Sequence, residues 1–168
     1  MRELGLKTKE LRLEEPHFSF LGQWHANLVY INRQKCVLFV NDKTLFNFIV
    51  PGLSRSDIRD LPNQFRLTLG CVLGAEELPD AVRERILSEY EDIGIGKSSD
   101  RSVLGSSNDI AFHYKHRILE AGGIHSWRVP EIIRELNRMP MQAIPRRFPI
   151  DQLRELYGLE VRRGHGTH

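Results

Sequence analysis

The sequence predicts an α+β protein, in which a small antiparallel meander sheet of three or four strands packs against five or six helices. Strand-like segments cluster between residues 24 and 50, and apolar positions at intervals of three or four residues dominate after residue 54. Clustered strands argue against a doubly wound parallel sheet, in which strands and helices alternate. The 168 residues suit one domain, which we expect to span residues 1–158, followed by a disordered tail at 159–168.

The first segment, residues 2–13, is predicted as a short helix with a ragged apolar side of leucines, ended before Pro16. The meander follows. Side chains in residues 24–31 alternate between two sets, as the two faces of a strand do. Residues 36–40 form a continuous apolar run that is typical of a central strand, and residues 45–50 are predicted as a third strand. The connectors begin with Asn32 and Asn41, whose side chains can bond the backbone two residues on, so both predict tight hairpin turns.

Helices follow the meander. Ser54 with Asp57 three residues later predicts a capping box that opens a helix to about residue 72. Pro62 inside this pattern predicts a kink, or a helix that restarts at Leu61. Further helices are predicted over residues 79–90, 101–121, 127–139 and 150–158, and the glycine-punctuated segment 93–97 is a candidate fourth strand.

Several classes of protein are disfavoured by composition and motif. The longest apolar runs are far too short to span a bilayer, and the N-terminus lacks the apolar region of a secretory signal, so we expect no membrane partner. Cys36 and Cys71 sit among apolar neighbours without CxxC spacing, which predicts buried, reduced thiols and a cytoplasmic location. The run 94–98 lacks the first glycine of a phosphate-binding loop. We expect no cofactor.

Charge is unevenly distributed along the chain. The net charge of +2 combines −2 over residues 1–100 with +4 over residues 101–168, and five of the seven histidines lie in the second part. Arginine outnumbers lysine by 18 to 6, and its planar fork suits phosphate and carboxylate groups. This pattern favours an anionic partner, although arginine richness can also reflect the base composition of the genome.

The predicted helix at residues 101–121 carries most of the candidate site residues. Arg101 and Ser102, with the free N–H groups of the first turn, are candidates to hold an anion, against ordinary helix capping as the alternative. Further along, spacings of three and four predict a shared polar face. That face contains Asn108, Asp109, His113 and His116. Two histidines and one carboxylate make an incomplete metal site, so no metal is expected. The alternative is a solvated face with Asp–His pairing.

Two further groups of polar residues lie elsewhere. His25 and Asn27 alternate on one face of a strand, about 7 Å apart, and form either a ligand surface or the solvated side of the sheet. Arg146 and Arg147 lie in a proline-bounded loop in an arginine-rich, aromatic-containing segment, which suits nucleic acid. Salt bridges from Glu131 and Glu135 to neighbouring arginines are the competing interpretation.

A family resemblance covers about residues 1–158. The string WHANLVYINRQKCVLFVNDKTLF, followed by DRSVLGSSNDIAF and ELNRMPM, resembles a family of small bacterial proteins classed as a domain of unknown function. The resemblance implies a cytosolic bacterial protein of single-domain size. It supplies no catalytic residues.

Three functional hypotheses follow. The leading one is a binding protein for an anionic partner: nucleic acid, a phosphorylated ligand or an acidic protein surface. The alternative is a metal-independent hydrolase or nuclease using His25, Asp109 and His113, which must then converge in space. The third is a protein-interaction accessory factor, whose sign would be an exposed sheet edge or apolar patch. The oligomeric state is left open.

Overall fold

The computed structural model describes residues 10–14, 20–91, 94–97 and 101–161, with side chains at 20–91 and 105–161. The predicted α+β fold is confirmed. The elements in chain order are β1 (Glu10–Glu14), β2 (Trp24–Ile31), β3 (Gln34–Asn41), β4 (Asn47–Val50), α1 (Arg55–Arg59), α2 (Leu61–Ala75), α3 (Asp80–Glu89), β5 (Gly94–Lys97), α4 (Arg101–Glu120), α5 (Val129–Leu136) and α6 (Pro149–Leu156).

The five strands form one antiparallel sheet in the order β4-β3-β2-β1-β5. The meander β2–β4 and the additional strand at residues 94–97 are confirmed. The helix predicted over residues 2–13 is wrong at residues 10–13, which belong to β1; residues 2–9 lie outside the described residues. The sequence Leu11, Arg12, Leu13 fits the two-residue repeat of a strand. This segment pairs with β2 on one side and with β5 on the other.

Both hairpin turns of the meander form as predicted. Asn32 and Arg33 adopt φ of 52° and 66°, the left-handed pair of a type I′ turn, whose twist matches that of the flanking strands. In the second turn, the side-chain oxygen of Asn41 accepts hydrogen bonds from the N–H groups of Lys43 at 3.0 Å and Thr44 at 2.9 Å. The asparagine side chain therefore replaces a backbone acceptor at this turn.

The helix boundaries follow local signals in the sequence. Ser54 and Asp57 form the predicted capping box of α1. The restart at Leu61 is also confirmed, because α1 ends at Arg59 and Pro62 occupies the first turn of α2, where its missing N–H costs nothing. Gly122 and Gly123, both at positive φ, follow the end of α4.

Helices cover both faces of the sheet. On one face, Trp24, Phe39 and Phe48 pack around Phe65 of α2, with ring centroids 5.0–5.7 Å apart. On the other face, α4 lies across β2 and β3, and the hydroxyl of Tyr114 donates a 2.8 Å hydrogen bond to the side-chain oxygen of Asn47. Neither face of the meander is left to solvent.

The two cysteines differ in their surroundings, although both are free thiols. Cys36 is buried as predicted, and burial raises the pKa of its thiol. The prediction of burial is wrong for Cys71, which is exposed. Leu69 and Val72 occupy the buried stripe of α2, and Cys71 falls beside that stripe.

The C-terminal end of the described chain remains packed. Leu159, at the start of the predicted tail, lies against the core, while residues 162–168 are outside the described residues. Among the helices described, none combines the length and the apolar character that crossing a membrane would require.

Candidate anion-binding cleft

A polar cleft of about 350 Å³ lies between α4 and α5. We call it the His–Arg cleft. Four of its seven lining residues are basic or titratable to a cation, and the full lining consists of His113, His116, Arg117, Glu120, Arg128, Ile132 and Glu135. The lining combines hydrogen-bond donors suited to an anion with only one apolar side chain.

Helix geometry explains why these residues meet. The stripe of α4 that faces the sheet is marked by buried Ser107, Ile110, Tyr114 and Ile118. At 100° per residue, Arg117 falls beside this stripe and towards α5, while His116 falls on the side opposite the sheet. The cleft therefore forms along the flank of α4, where α5 leaves it open to solvent.

Exposed glutamates lie beside the basic side chains of the cleft. Arg117 pairs with Glu135 at 2.8 Å, and the His116 Nε2 lies 3.2 Å from Glu120. Arg128 lies 3.6 Å from Glu131, which confirms the predicted helix-surface pair at that position. Solvent-exposed pairs of this kind contribute little free energy to the fold.

Exposed aromatic rings adjoin the cleft. Phe112 is 66% exposed, and its ring lies parallel to that of His116 within 5°, with the centroids 6.4 Å apart. Trp127, which directly precedes the lining residue Arg128, is 82% exposed. An exposed aromatic ring beside basic side chains offers a flat face on which a planar group can stack.

The predicted polar face of α4 is partly assembled. Asp109 and His113 lie 3.9 Å apart, which is the Asp–His pairing expected for that face, and Asn108 is exposed beside them. His113 and His116 both line the cleft. For Arg101 and Ser102, the structure places the backbone in the first turn of α4, and their side chains lie outside the described residues.

His25 and Asn27 lie elsewhere, on the sheet face covered by α4. They are 3% and 6% exposed, so the expectation of a solvated or ligand-facing strand surface is wrong. The physical reason is that α4 lies over β2. Asp109, by contrast, is 64% exposed on the outer side of α4. The structure therefore does not bring His25 together with Asp109 and His113, as the hydrolase hypothesis requires.

Arg146 and Arg147 also lie outside the cleft. Arg146 forms a two-point ion pair with Glu155 of α6, which raises the pKa of the Arg146 guanidinium. The backbone N–H of Arg146 donates a hydrogen bond to the side-chain oxygen of Gln152. Arg147 is exposed and adopts φ of 67° in the loop before α6.

Sequence reasoning missed Arg117 and Glu120 as cleft residues. The spacing in the sequence could have revealed them, because residues three or four apart share one side of a helix. Such intervals separate His113, His116, Arg117 and Glu120. Glu135 was predicted to pair with an arginine of its own helix, but it pairs with Arg117 of α4. Within the described residues, no group of three or more His, Cys, Asp or Glu side chains is arranged to hold a metal ion.

The fold and the cleft define a small α+β protein with a polar cleft on its helical surface, lined by two arginines, two histidines and two glutamates. The chain belongs to DUF6933, a domain of unknown function, whose family model matches residues 1–152 and so reaches into α6. The resemblance found in the sequence is confirmed at that level. No curated protein and no solved structure matches the chain.

Proposed function

We propose that the protein binds single-stranded nucleic acid, and that the His–Arg cleft is its binding surface. One observation carries the proposal: Arg117, Arg128 and two histidines line a cleft, and the exposed ring of Phe112 lies parallel to the ring of His116. Trp127, which directly precedes Arg128, is also exposed. Single strands are held by cationic grooves that follow the phosphates and by aromatic rings on which the bases stack.

The charge of the surrounding segment supports an anionic partner. Residues 105–147 contain seven arginine and lysine residues against four aspartate and glutamate residues, a net of +3 without the histidines. Exposed aromatic rings favour nucleic acid over an acidic protein surface, because every base offers a flat face for stacking. The expected cytoplasmic location, which stays a prediction, is compatible with such a partner.

Binding is expected to be strongest at low salt. A labelled oligonucleotide of about ten nucleotides should raise fluorescence anisotropy at about 50 mM salt and dissociate as salt rises, since phosphate contacts release counterions. Binding should also quench Trp127, which is 82% exposed, whereas Trp24 is fully buried. Absence of binding to DNA and RNA at low salt would refute the proposal.

Two variants separate the phosphate contacts from the stacking contacts. Arg128→Gln should reduce the slope of log affinity against log salt by about 0.7. Phe112→Ala should weaken binding by about 1–3 kcal/mol while leaving that slope unchanged, because it removes a stacking ring and no charge. Arg59→Gln, at an exposed position of α1, is the control for charge loss elsewhere. Equal effects of Arg59→Gln and Arg128→Gln would contradict a site at the cleft.

A further inference from the structure

A second cavity, of about 320 Å³, lies at the β4 edge of the sheet, between α2 and α5. We call it the edge pocket. Its volume is at the lower end of the range of about 300–1,000 Å³ that is typical of small-molecule sites. The edge pocket shares no lining residue with the His–Arg cleft, so the two are separate sites.

The floor of the edge pocket is hydrocarbon. It is formed by Ile49, Val72, Val129 and Ile133, each of which is at most 7% exposed. Because almost all of the surface inside the pocket is apolar, a ligand gains affinity there by removing its own apolar surface from water. The part of the ligand that lies inside the pocket is therefore an uncharged hydrocarbon group.

Helix α2 sets the length of the apolar wall. Its lining residues extend from Thr68 to Ala75, which is about 10 Å along the helix axis. An extended chain advances about 1.2 Å per bond, so this wall suits an unbranched alkyl group of about eight carbons.

The rim of the pocket is cationic at one end. Arg134 of α5 is a lining residue, and its side chain is 46% exposed. Its Nε lies 3.9 Å from the carboxylate of Glu76, which is beyond hydrogen-bond distance. Glu76 directly follows Ala75, so the guanidinium of Arg134 lies at the Ala75 end of the wall, with access to solvent.

The charges at this end favour an anionic head group. The buried carboxylate of Glu76 accepts two hydrogen bonds from Arg138, at 2.7 and 2.9 Å, and so does not need Arg134 as a donor. These three side chains together carry one excess positive charge, which suits a ligand with a single negative charge. A carboxylate matches the planar fork of an arginine, because it can accept two parallel hydrogen bonds.

We propose that the edge pocket binds an unbranched aliphatic monocarboxylate of about eight carbons. The alkyl chain lies along α2 over the hydrocarbon floor, and the carboxylate lies outside the apolar wall, on the guanidinium of Arg134. This proposal does not depend on nucleic-acid binding at the His–Arg cleft.

NMR titration of the ¹⁵N-labelled full chain with matched probes tests the two parts of the ligand. Octanoate should bind saturably. Hexanoate, which is two methylenes shorter, should bind roughly fifteenfold more weakly. 1-Octanol, which has the tail without the charge, should bind about tenfold more weakly than octanoate. Equal binding of hexanoate and octanoate, equal or tighter binding of 1-octanol, or no saturable shift with octanoate would overturn the proposal.

Cys71 reports whether the pocket is occupied. It is exposed and lines the pocket, whereas Cys36 is buried. Saturating octanoate should therefore slow the alkylation of Cys71 by iodoacetamide, followed by mass spectrometry of the intact chain. An unchanged rate at Cys71 would place the octanoate elsewhere and refute the assignment.

Two variants assign the head group and the tail. Arg134→Met keeps the apolar stem and removes the charge, so it should lower the affinity for octanoate to that for 1-octanol and leave 1-octanol binding unchanged. Arg55→Met, the same change at an exposed position of α1, should bind octanoate as the unmodified protein does. Equal effects of the two arginine variants would contradict the role given to Arg134.

A pocket-filling variant locates the tail. Ala75 is an exposed lining residue at the end of α2, so Ala75→Phe should fill the pocket and abolish binding of both octanoate and 1-octanol. Ala81→Phe, the same change at an exposed position of α3, should leave both affinities unchanged. Octanoate binding that survives Ala75→Phe in a protein with a folded NMR spectrum would refute the site.

Discussion

Replacing Arg138 with methionine is expected to lower the free energy of unfolding by about 3–5 kcal/mol. The carboxylate of Glu76, at the end of α2, has no exposed surface and accepts two hydrogen bonds from the Arg138 guanidinium, at 2.7 and 2.9 Å. These bonds raise the pKa of Arg138. Without Arg138, the carboxylate would stay buried with only Arg134, 3.9 Å away, to replace it. A loss of this size is a large fraction of the stability of a typical domain.

Urea denaturation of two further variants tests the mechanism. The double variant Glu76→Leu with Arg138→Met should recover most of the loss, because removing both charges of a buried pair is often nearly neutral. Arg146→Met breaks a second arginine–glutamate pair, with Glu155, but at the exposed surface, and should leave the urea midpoint almost unchanged. A single variant no less stable than the double variant would contradict the role assigned to Arg138.

Replacing Asn137 with leucine should cost about 2–6 kcal/mol of stability, although the two side chains have the same branched arrangement of non-hydrogen atoms. Asn137 is fully buried, and its amide closes the edge of β4 by bonding both the N–H and the C=O of Asn47. Leucine would leave both groups of this buried residue without partners. Unpaired buried groups cost about 1–3 kcal/mol each, which sets the expected size.

Hydrogen exchange gives a local readout of the same change. The amide of Asn47 should be protected in the unmodified protein and should exchange faster in Asn137→Leu by more than the global loss of stability explains. Asn108→Leu, at an exposed position of α4, serves as the matched control and should alter neither measurement. Unchanged protection of Asn47 in the leucine variant would show that Asn137 does not close the edge.

Local sequence signals predicted most elements of the fold. The asparagines at positions 32 and 41 predicted the hairpins, and Ser54 with Pro62 predicted the start of α1 and the restart at α2, because turn and cap chemistry depends on neighbouring residues. The failure at residues 10–13 has a physical cause. A short segment with leucines at mixed spacing fits a helix or a strand, and only pairing with β2 and β5 decides between them.

The candidate site was predictable in part. Spacing along α4 brought Asp109, His113 and His116 to one side of a helix, as the structure shows. Spacing did not reveal that Arg128 and Glu135 line the same cleft, because the periodicity of one helix does not say how the next helix packs against it. Nor did it reveal that His25 is buried, because a strand's alternation does not say whether a helix covers its second face.

The sequence by itself determined the α+β class, the meander with its two turns, the caps and the basic, histidine-bearing character of the second part of the chain. Only the tertiary structure decided which polar groups are available. In the folded chain, Glu76 is buried against Arg138, and the backbone of Asn47 is hydrogen-bonded by Asn137. Ile49 lines one cavity, and Arg128 lines the His–Arg cleft. The reason is that turns and caps are satisfied by neighbouring residues, whereas the pairing of a buried charge or an edge peptide depends on partners that folding brings from about 60 to 90 residues away.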